Sequence, residues 1–380
     1  MAIFDWYAER TDLSDLALLD RAPESEGIDL KAVFTARNSP TRYLLLTAKR
    51  SIMFEFAGCL HLAKVYEAID EVRTAASVTF TSSGPKIQDK ERKWAQEMAG
   101  LVKGLVGKPS ANLGLERLNA RIATALKELG LNIVDAQQAI EMARTIKSAE
   151  EAKCIVASLR ATEVAVGKLR DAITPGLTEN QLWSVIHKSV IEQNGDYVET
   201  RLLSVGPRTN PWFQETASHA IGKNQLVALG TDVVGCHGYY SDFSRSFHSG
   251  PDPPTEEQRE LYRTAHGQIT HNMSILKPGL TFQEYADLAW GIPKRYWANR
   301  YFVSAHGCGL TGEYPYLCHR GDFPDAGYDG IVEPGMVLCV ESYIGKEGGV
   351  QGVKLEQQVL ITETGIEVLS KFPLKEALLE

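Results

Sequence analysis

The sequence has no long hydrophobic run, no concentration of basic residues and no secretory leader pattern, and each absence excludes a class of protein. No uninterrupted apolar stretch reaches the roughly 20 residues that a membrane-spanning helix needs. Forty Lys and Arg against 48 Asp and Glu give a net charge of −8. A nucleic-acid binder is therefore not expected, because it needs a basic surface to neutralise phosphates. The N-terminal MAIFDWYAERTD lacks a basic segment followed by an apolar core, which argues against a signal peptide.

The six cysteines are scattered through the chain, and no CxxC motif occurs. A chain of 380 residues buries about three quarters of its unfolded surface and does not need disulfides to fold. We therefore expect reduced thiols and a cytoplasmic protein. The sequence also has no GxSxG elbow, phosphate-binding GxxxxGK[ST] loop or dinucleotide fingerprint, so serine-hydrolase and nucleotide-driven chemistry have no support.

Short apolar segments alternate with helical patterns in the first part of the chain, which is typical of a small α/β domain. Strands are predicted at 32–35, 42–47 and 131–135, and a helix is predicted from Leu115 to Leu129 with Gly130 at its C-terminal end. The charged residues of this region form no recognisable catalytic constellation.

A repeated pattern begins at Ser148. Each copy has a capping box that starts a long helix, then the sequence PGLT, then a second capping box that starts another helix. The boxes are Ser148/Glu151, Thr178/Gln181, Thr255/Gln258 and Thr281/Glu284. The repeat predicts an internally duplicated domain in which each half has two helices followed by antiparallel strands, with a domain boundary near Lys147.

Five residues that can bind a cation lie in this second domain, most of them in apolar, strand-like segments. Continuous strands are predicted at 226–234 and 239–245, each with an aspartate inside it, and further strand-like segments at 337–341 and 353–360 each carry a glutamate. The five residues are Asp232, Asp242, His306, Glu341 and Glu356. Burying a lone carboxylate costs several kcal/mol, so each acid must be paired, neutralised or bound to a cation.

Each of these residues, taken alone, has a structural explanation. Asp242 can pair with Arg245, Glu356 can pair with Lys354, and His306 can be a core histidine. Taken together, the four acids exceed the nearby cations and balance two divalent ions. Oxygen-rich ligation with one imidazole suits manganese, iron, cobalt or zinc. Two such ions share a bridging water, lower its pKa and hold a hydroxide for attack.

At these residues the sequence resembles the pita-bread metalloenzymes, which include methionine aminopeptidase, Xaa-Pro aminopeptidase, prolidase and creatinase. The ligand order Asp, Asp, His, Glu, Glu of that family falls on the five residues, and its duplicated architecture accounts for the repeated PGLT. The resemblance implies an α/β (α+β) protein with a creatinase-type N-terminal domain over 1–147 and a pita-bread metal-binding catalytic domain over 148–380. It also implies two divalent ions (Mn, Fe, Co or Zn) and a homodimer in which the N-terminal domain helps close the partner's active site.

A closer resemblance is to the dimethylsulfoniopropionate lyases built on this fold. It rests on HGCGLTGEYP at 306–315, GYDG at 327–330, ESYIG at 341–345, GVKLE at 352–356 and the ten-residue interval between the two aspartates. Tyr301 falls on the active-site tyrosine of the lyases. Two of their aspartates are missing, however. A metal-binding one is replaced by Gly230, and the catalytic base, six residues after the histidine, is replaced by Gly312.

The prolidase-like enzymes differ from this sequence in another way. Their upstream substrate-binding histidine corresponds to the segment NPWFQE at 210–215, and a second histidine corresponds to Glu313. Because the metal ligands are complete while the lyase base is missing, the predicted function is hydrolysis of an amide or peptide-like C–N bond in a small-molecule or short-peptide substrate. Tyr301 and Glu313 are the catalytic candidates. The alternatives are a lyase that releases dimethyl sulfide and acrylate, and a non-catalytic metal-binding interaction protein.

Six aromatic residues flank these motifs and can line a pocket that attracts quaternary ammonium or sulfonium groups. Ordinary packing is the alternative explanation. The six are Trp212, Phe213, Tyr296, Trp297, Tyr301 and Tyr314.

Overall fold

The computed structural model describes residues 2–5, 42–116, 120–235 and 238–380, and the chain divides into two compact units, Met1–Ala143 and Arg144–Glu380. The strand predicted at 32–35 lies outside the described residues. Among the described residues, no helix is long and apolar enough to cross a membrane. The five cysteines that the structure describes are all free thiols.

The N-terminal unit is built on a six-stranded mixed sheet with strand order β4-β3-β2-β1-β5-β6. Its strands are β1 Ala2–Asp5, β2 Tyr43–Leu46, β3 Ser51–Glu55, β4 Glu71–Thr74, β5 Asn112–Leu115 and β6 Asn132–Asp135. The helices among the described residues of this part of the chain are α1 Leu60–Ala63, α2 Phe80–Ser83, α3 Ile87–Val106, α4 Ala120–Glu128 and α5 Gln137–Thr145, with a 3-10 turn at Gly84–Lys86.

Two predicted strands, at 42–47 and 131–135, are confirmed as β2 and β6. The predicted start of the helix at Leu115 is wrong, because Leu115 is the last residue of β5 and pairs with β1 and β6. Successive residues of a strand face opposite sides of a sheet. Tyr43 accordingly packs towards Trp94 of α3, and Leu44 packs towards Ala63 of α1.

The C-terminal unit contains the duplicated pattern. Its longer helices are α6 Ala149–Ala172, α7 Glu179–Glu192, α8 Glu256–Ile275 and α9 Phe282–Leu288, and each begins at one of the four predicted capping boxes, all of which are confirmed. Shorter helices are α10 Lys294–Trp297, α11 Phe323–Ala326 and α12 Glu376–Leu379, with a 3-10 turn at Gly206–Thr209.

Three sheets lie in this unit, with strand orders β11-β10-β7, β12-β9-β8 and β14-β13-β15-β16-β17. The strands of the first half are β7 Tyr197–Val198, β8 Leu203–Val205, β9 Leu226–Gly230, β10 Val233–Val234, β11 Tyr240–Ser241 and β12 Ser244–His248. Those of the second half are β13 Ala305–Cys308, β14 Gly312–Leu317, β15 Val337–Gly345, β16 Gly352–Ile361 and β17 Ile366–Val368.

The long hairpin of β15 and β16 separates an apolar face from a polar one. Alternate residues such as Ile344 and Leu355 pack with Tyr262 of α8 in the core. The residues that alternate with these along each strand, including Glu341 and Glu356, face the other side of the hairpin, because successive side chains of a strand point to opposite faces. The apolar core on one face of the hairpin therefore positions the acids on the other.

Candidate metal centre

Two glutamates face each other on the polar side of the β15–β16 hairpin. Glu341 and Glu356 occupy directly opposite positions in the antiparallel ladder and are almost fully buried. Like charges at opposite positions destabilise a sheet, so the pair requires a cation. Lys354, two residues before Glu356, supplies one: its Nζ donates to Oε2 of Glu356 at 3.0 Å and to Oε2 of Glu341.

A serine hydroxyl completes this buried cluster. Ser244 Oγ accepts a hydrogen bond from Lys354 Nζ at 2.9 Å and donates one to Oε2 of Glu356 at 2.6 Å. The Oε2 atoms of both glutamates are thus engaged by the protein. Oε1 of Glu356 is buried and has no hydrogen-bond partner among the described residues.

Asp232 and Asp242 lie in breaks between strands. The apolar pattern predicts continuous strands through both residues, and this is wrong: Asp232 lies between β9 and β10, and Asp242 lies between β11 and β12. Asp232 has a positive φ of 33°. Thr231 Oγ1 holds the two breaks together, since it donates to the carbonyl of Ser241 at 3.3 Å and accepts from the Phe243 amide at 3.0 Å. The carboxylates are placed by irregular backbone that leaves the ladder.

His306 on β13 is held in a metal-binding orientation. Its Nδ1 lies 3.0 Å from the carbonyl oxygen of Gly307, which assigns Nδ1–H as the donor. Its Nε2 lies 3.4 Å from Glu341 Oε1, 3.7 Å from Asp242 Oδ2 and 3.8 Å from Glu356 Oε1. A histidine that binds a metal commonly donates its other ring N–H in this way, because the hydrogen bond fixes the ring and its tautomer.

The pKa values of the four carboxyl groups are shifted because several negative charges are buried close together. Burial, together with the charge on Glu356, raises the pKa of Asp242 well above its usual range and also raises that of Glu341. Burial raises the pKa of Asp232 too. For Glu356, burial acts upward, but the charges of Lys354 and His306 outweigh it, and the pKa is lowered.

The pKa values of the two bases of the cluster, His306 and Lys354, are raised, whereas burial alone lowers the pKa of a base. Burial alone lowers the pKa of His306, but the hydrogen bond and charge of Glu341 outweigh it and raise the pKa to about 9. Burial likewise lowers the pKa of Lys354, while the charges of Glu341 and Glu356 raise it further than burial lowers it. Both shifts have the same cause, which is the negative charge of the neighbouring glutamates.

The arrangement fits divalent metal. Four carboxylates and one lysine leave three negative charges, and two divalent ions supply four positive ones, so the cluster balances two ions and one anionic ligand. Carboxylate oxygens with one imidazole are the donors that manganese, iron, cobalt and zinc accept. The unpartnered Oε1 of Glu356 beside Nε2 of His306 is the specific observation that a bound cation would explain.

The structural pairings considered from the sequence have mixed outcomes. Glu356 does pair with Lys354. Arg245 does not pair with Asp242, because its guanidinium donates to the backbone carbonyls of Phe372 and Ser244 and to Gln357. Asp242 accordingly keeps His306 as its neighbour at the cluster.

Tyr301 and Glu313, the two catalytic candidates, lie in different environments. The ring of Tyr301 lies 4.7 Å from Lys354 Nζ, and burial together with the charge of Glu341 raises its pKa well above the usual range. The carboxylate of Glu313 instead accepts from Lys147 Nζ at 2.7 Å and from the Leu310 amide at 2.7 Å. Tyr301 therefore borders the acid cluster, whereas the carboxylate of Glu313 is engaged in a buried ion pair.

The two glycines that replace lyase aspartates differ in the space around them. A Cβ at Gly230 would lie 3.3 Å from Ser244 Oγ and 3.5 Å from the ring of Trp212, next to the acid cluster. A Cβ at Gly312 would meet no described atom within 4 Å. Neither position offers a carboxylate; a Cβ at Gly312 meets open space, whereas a Cβ at buried Gly230 requires its neighbours to move by a few tenths of an ångström.

The sequence analysis missed three residues that take part in this cluster. Cys339 Sγ lies with donor atoms of Asp242, His306 and Glu356 in a group within 4.8 Å of one another. Thr200 Oγ1 donates to Asp232 Oδ2 at 2.5 Å, and Ser244 is the third. Only Cys339 carried a usable signal, because it lies two residues before Glu341 on the same strand face.

Comparison with known proteins decides the family. Residues 153–363, more than half of the chain, match metallopeptidase family M24. The chain belongs to this family. This M24 chain is 32% identical to the dimethylsulfoniopropionate lyase DddP of Roseovarius nubinhibens over 90% of its own length and 78% of that protein. It is 30% identical to DddP of Roseobacter denitrificans, with 100% and 91% covered, and 29% identical to the Xaa-Pro dipeptidase of Pyrococcus furiosus, with 60% and 64% covered.

Solved structures confirm the pita-bread fold of this M24 enzyme. The prolidase from Pyrococcus furiosus superposes with a TM-score of 0.70 at 21% identity, covering 88% of this chain and 91% of that one. The X-Pro aminopeptidase from Thermotoga maritima superposes with a TM-score of 0.72 at 16% identity, covering 98% and 96%. The predicted α/β class and the metalloenzyme family are both confirmed, close to the DddP branch.

Proposed function

We propose that this M24 enzyme hydrolyses an amide or peptide-like C–N bond of a small molecule or short peptide. The observation that carries the proposal is the contrast between the three acids around His306 Nε2, Asp242, Glu341 and Glu356, and the absence of a side chain at Gly312. Elimination needs a base placed to remove a proton from carbon, and Gly312 is the position at which the resemblance places that base.

The metal centre is proposed to hold two divalent ions, chosen from manganese, iron, cobalt and zinc. Their ligands are Asp232, Asp242, His306, Glu341 and Glu356. When bound, two such ions supply a water of lowered pKa that can attack a carbonyl carbon.

The protein's own groups act by fixing the ligands in place. The Gly307 carbonyl fixes the His306 ring with Nε2 towards the acids. Lys354 holds Oε2 of both Glu341 and Glu356, so Oε1 of each is the oxygen nearest His306. This preorganisation matters because ligands that are already oriented need no reorganisation when the reaction occurs.

Tyr301 is proposed as the catalytic-site tyrosine, since its ring borders the acids. Glu313 is proposed as a structural residue rather than a catalytic one. Its pairing with Lys147 and Leu310 uses both carboxylate oxygens, at 2.7 Å each. Its buried charge is therefore already satisfied away from any substrate.

A lyase activity on dimethylsulfoniopropionate is the second candidate. It is favoured by the 32% and 30% identity to two DddP enzymes over most of the chain. It requires a base other than the missing aspartates, and Tyr301 is the group near enough to the acids to be considered.

We further propose that the enzyme is a cytoplasmic homodimer. The free thiols of the described cysteines fit a reducing compartment. The dimer rests on the resemblance to creatinase-like enzymes, and light scattering that shows a monomer at micromolar concentration would contradict it.

The test is a side-by-side assay of one purified preparation. The metal content is measured first, and the protein is then loaded with manganese, iron, cobalt or zinc in separate samples. Each sample is given Xaa-Pro dipeptides and, separately, dimethylsulfoniopropionate. We expect release of free proline or another amine and no dimethyl sulfide. Release of dimethyl sulfide without any C–N cleavage would contradict the hydrolase proposal and favour the lyase.

A further inference from the structure

A continuous row of aromatic rings runs from the metal cluster to the surface, and we call it the aromatic wall. Its members are Trp212, Phe213, Tyr301, Phe302 and Tyr316. Tyr316 lies 6.2 Å from the His306 ring and 5.7 Å from Phe302. Phe302 lies 4.9 Å from Tyr301, and Tyr301 stacks on Phe213 at 5.3 Å. Trp212 follows at 6.5 Å from Phe213.

Three rings of the aromatic wall are open to solvent. Phe213 is 54% exposed, Phe302 49% and Tyr316 43%. Single exposed apolar residues are ordinary, but contiguous ones beside a site mark a binding surface. Because the row begins at His306, the exposed rings border the reacting centre.

The backbone holds Phe213 on the wall at a conformational cost. Its φ is 68°, in the left-handed region that a phenylalanine rarely adopts. The preceding Asn210 anchors the segment, since its Nδ2 donates to the carbonyls of Lys346 at 2.8 Å and Gly349 at 2.9 Å. Strained residues that the surroundings over-determine cluster at ligand sites, so the exposed ring has a fixed position.

We propose that the aromatic wall binds an apolar side chain of the substrate, so that the enzyme prefers substrates with a large aliphatic or aromatic group next to the scissile bond. This inference rests on the proposed hydrolase function for its kinetic part. Phe213 and Phe302 carry no polar atom, so what they gain on binding is removal of apolar surface from water.

Lys354 Nζ already lies against two rings of the wall, 4.7 Å from the Tyr301 ring and 5.7 Å from the Trp212 ring. The surface left for a ligand is therefore that of the three exposed rings, Phe213, Phe302 and Tyr316. Two of these three carry no polar atom, which favours an apolar group.

The test compares two dipeptides on the full-length, metal-loaded enzyme. We expect kcat/KM for Phe-Pro to exceed that for Gly-Pro by roughly tenfold or more, the effect of filling a hydrophobic site. Phe302→Ala should lower the ratio of kcat/KM for Phe-Pro to kcat/KM for Gly-Pro by a similar factor. Phe80→Ala is the matched control, because Phe80 is 68% exposed and is not part of the wall.

A binding measurement separates the wall from the reaction. Calorimetry with L-phenylalanine and with glycine should show tighter binding of phenylalanine, and Phe302→Ala should remove the difference. If neither dipeptide is cleaved but this difference holds, the hydrolase proposal fails and the wall stands. Equal kcat/KM for the two dipeptides would contradict the proposed role of the aromatic wall and would leave the hydrolase proposal intact. Light scattering that shows Phe302→Ala turning an oligomer into a monomer would also contradict that role, because the wall would then be an interface between copies.

Discussion

Replacing Lys354 by methionine tests whether the acid cluster depends on a cation. Methionine keeps a flexible, unbranched chain of similar length and removes only the ammonium. In the metal-free protein, Glu341 and Glu356 would then face each other with 1% and 2% side-chain exposure and without their shared partner. Breaking a buried ion pair by removing one partner costs about 3–5 kcal/mol, because the remaining charge is left uncompensated.

That cost can be expressed as a melting temperature. For a unit of this size, each 1 kcal/mol corresponds to roughly 2–4 °C, so metal-free Lys354→Met should melt about 6–20 °C below the wild type. A ligand that binds only the folded state stabilises it. Because divalent ions supply the missing positive charge, saturating manganese should raise the melting temperature of the variant by more than it raises that of the wild type.

The assay is differential scanning calorimetry with and without manganese, following the transition of the C-terminal unit. Lys354→Arg keeps the positive charge and should retain most of the stability. Lys346→Met is the matched control, because Lys346 is exposed on the turn after β15. A metal-free Lys354→Met protein that melts with the wild type, or a loss that manganese does not reduce, would refute the electrostatic explanation.

Three further predictions follow from the site and its surroundings. Asp242→Ala should lose bound metal on dialysis and lose activity while its circular dichroism spectrum stays unchanged, and wild-type turnover would place the site elsewhere. Gly230→Asp combined with Gly312→Asp should gain release of dimethyl sulfide, since the lyases that the sequence resembles carry aspartates at both positions and a Cβ at Gly312 meets no described atom within 4 Å; efficient release by the unmodified protein would show that neither aspartate is needed. Burial lowers the pKa of His319, whose Nε2 lies 2.9 Å from the Tyr301 carbonyl. The folded state therefore resists protonation, and its stability is full above the ordinary histidine pKa of about 6.5 and falls as the pH drops below it. His319→Gln should reduce the loss of urea stability between pH 7.5 and 5, and an unchanged pH dependence would exclude His319 as the cause.

Features that depend on neighbours in sequence could be predicted from the sequence. A capping box joins residues three apart, and all four boxes, from Ser148 to Thr281, start helices as expected. Strand alternation likewise places Glu341 on the face opposite the apolar residues of β15, whatever the rest of the fold does. The family resemblance rests on such local segments and on their order along the chain.

Features that depend on distant partners were decided by the tertiary structure. The position of Glu313 after His306 predicts a catalytic residue, but its partner Lys147 is 166 residues away in sequence. The breaks at Asp232 and Asp242 depend on Thr231, whose hydroxyl joins two segments that an unbroken apolar pattern does not distinguish from continuous strands.

The aromatic wall and the role of Lys354 also depend on contacts between segments that are separated in the sequence. Of the six aromatic residues expected near the site, Trp212, Phe213 and Tyr301 gather there, while Phe302 and Tyr316 join them without having been singled out. Propensity and periodicity act over a few residues, whereas the charge balance and ring contacts of a buried site are set by segments that only folding brings together. The sequence could therefore determine which acids need a cation and that Lys354 can pair with Glu356, and the fold determined that the same lysine also binds Glu341.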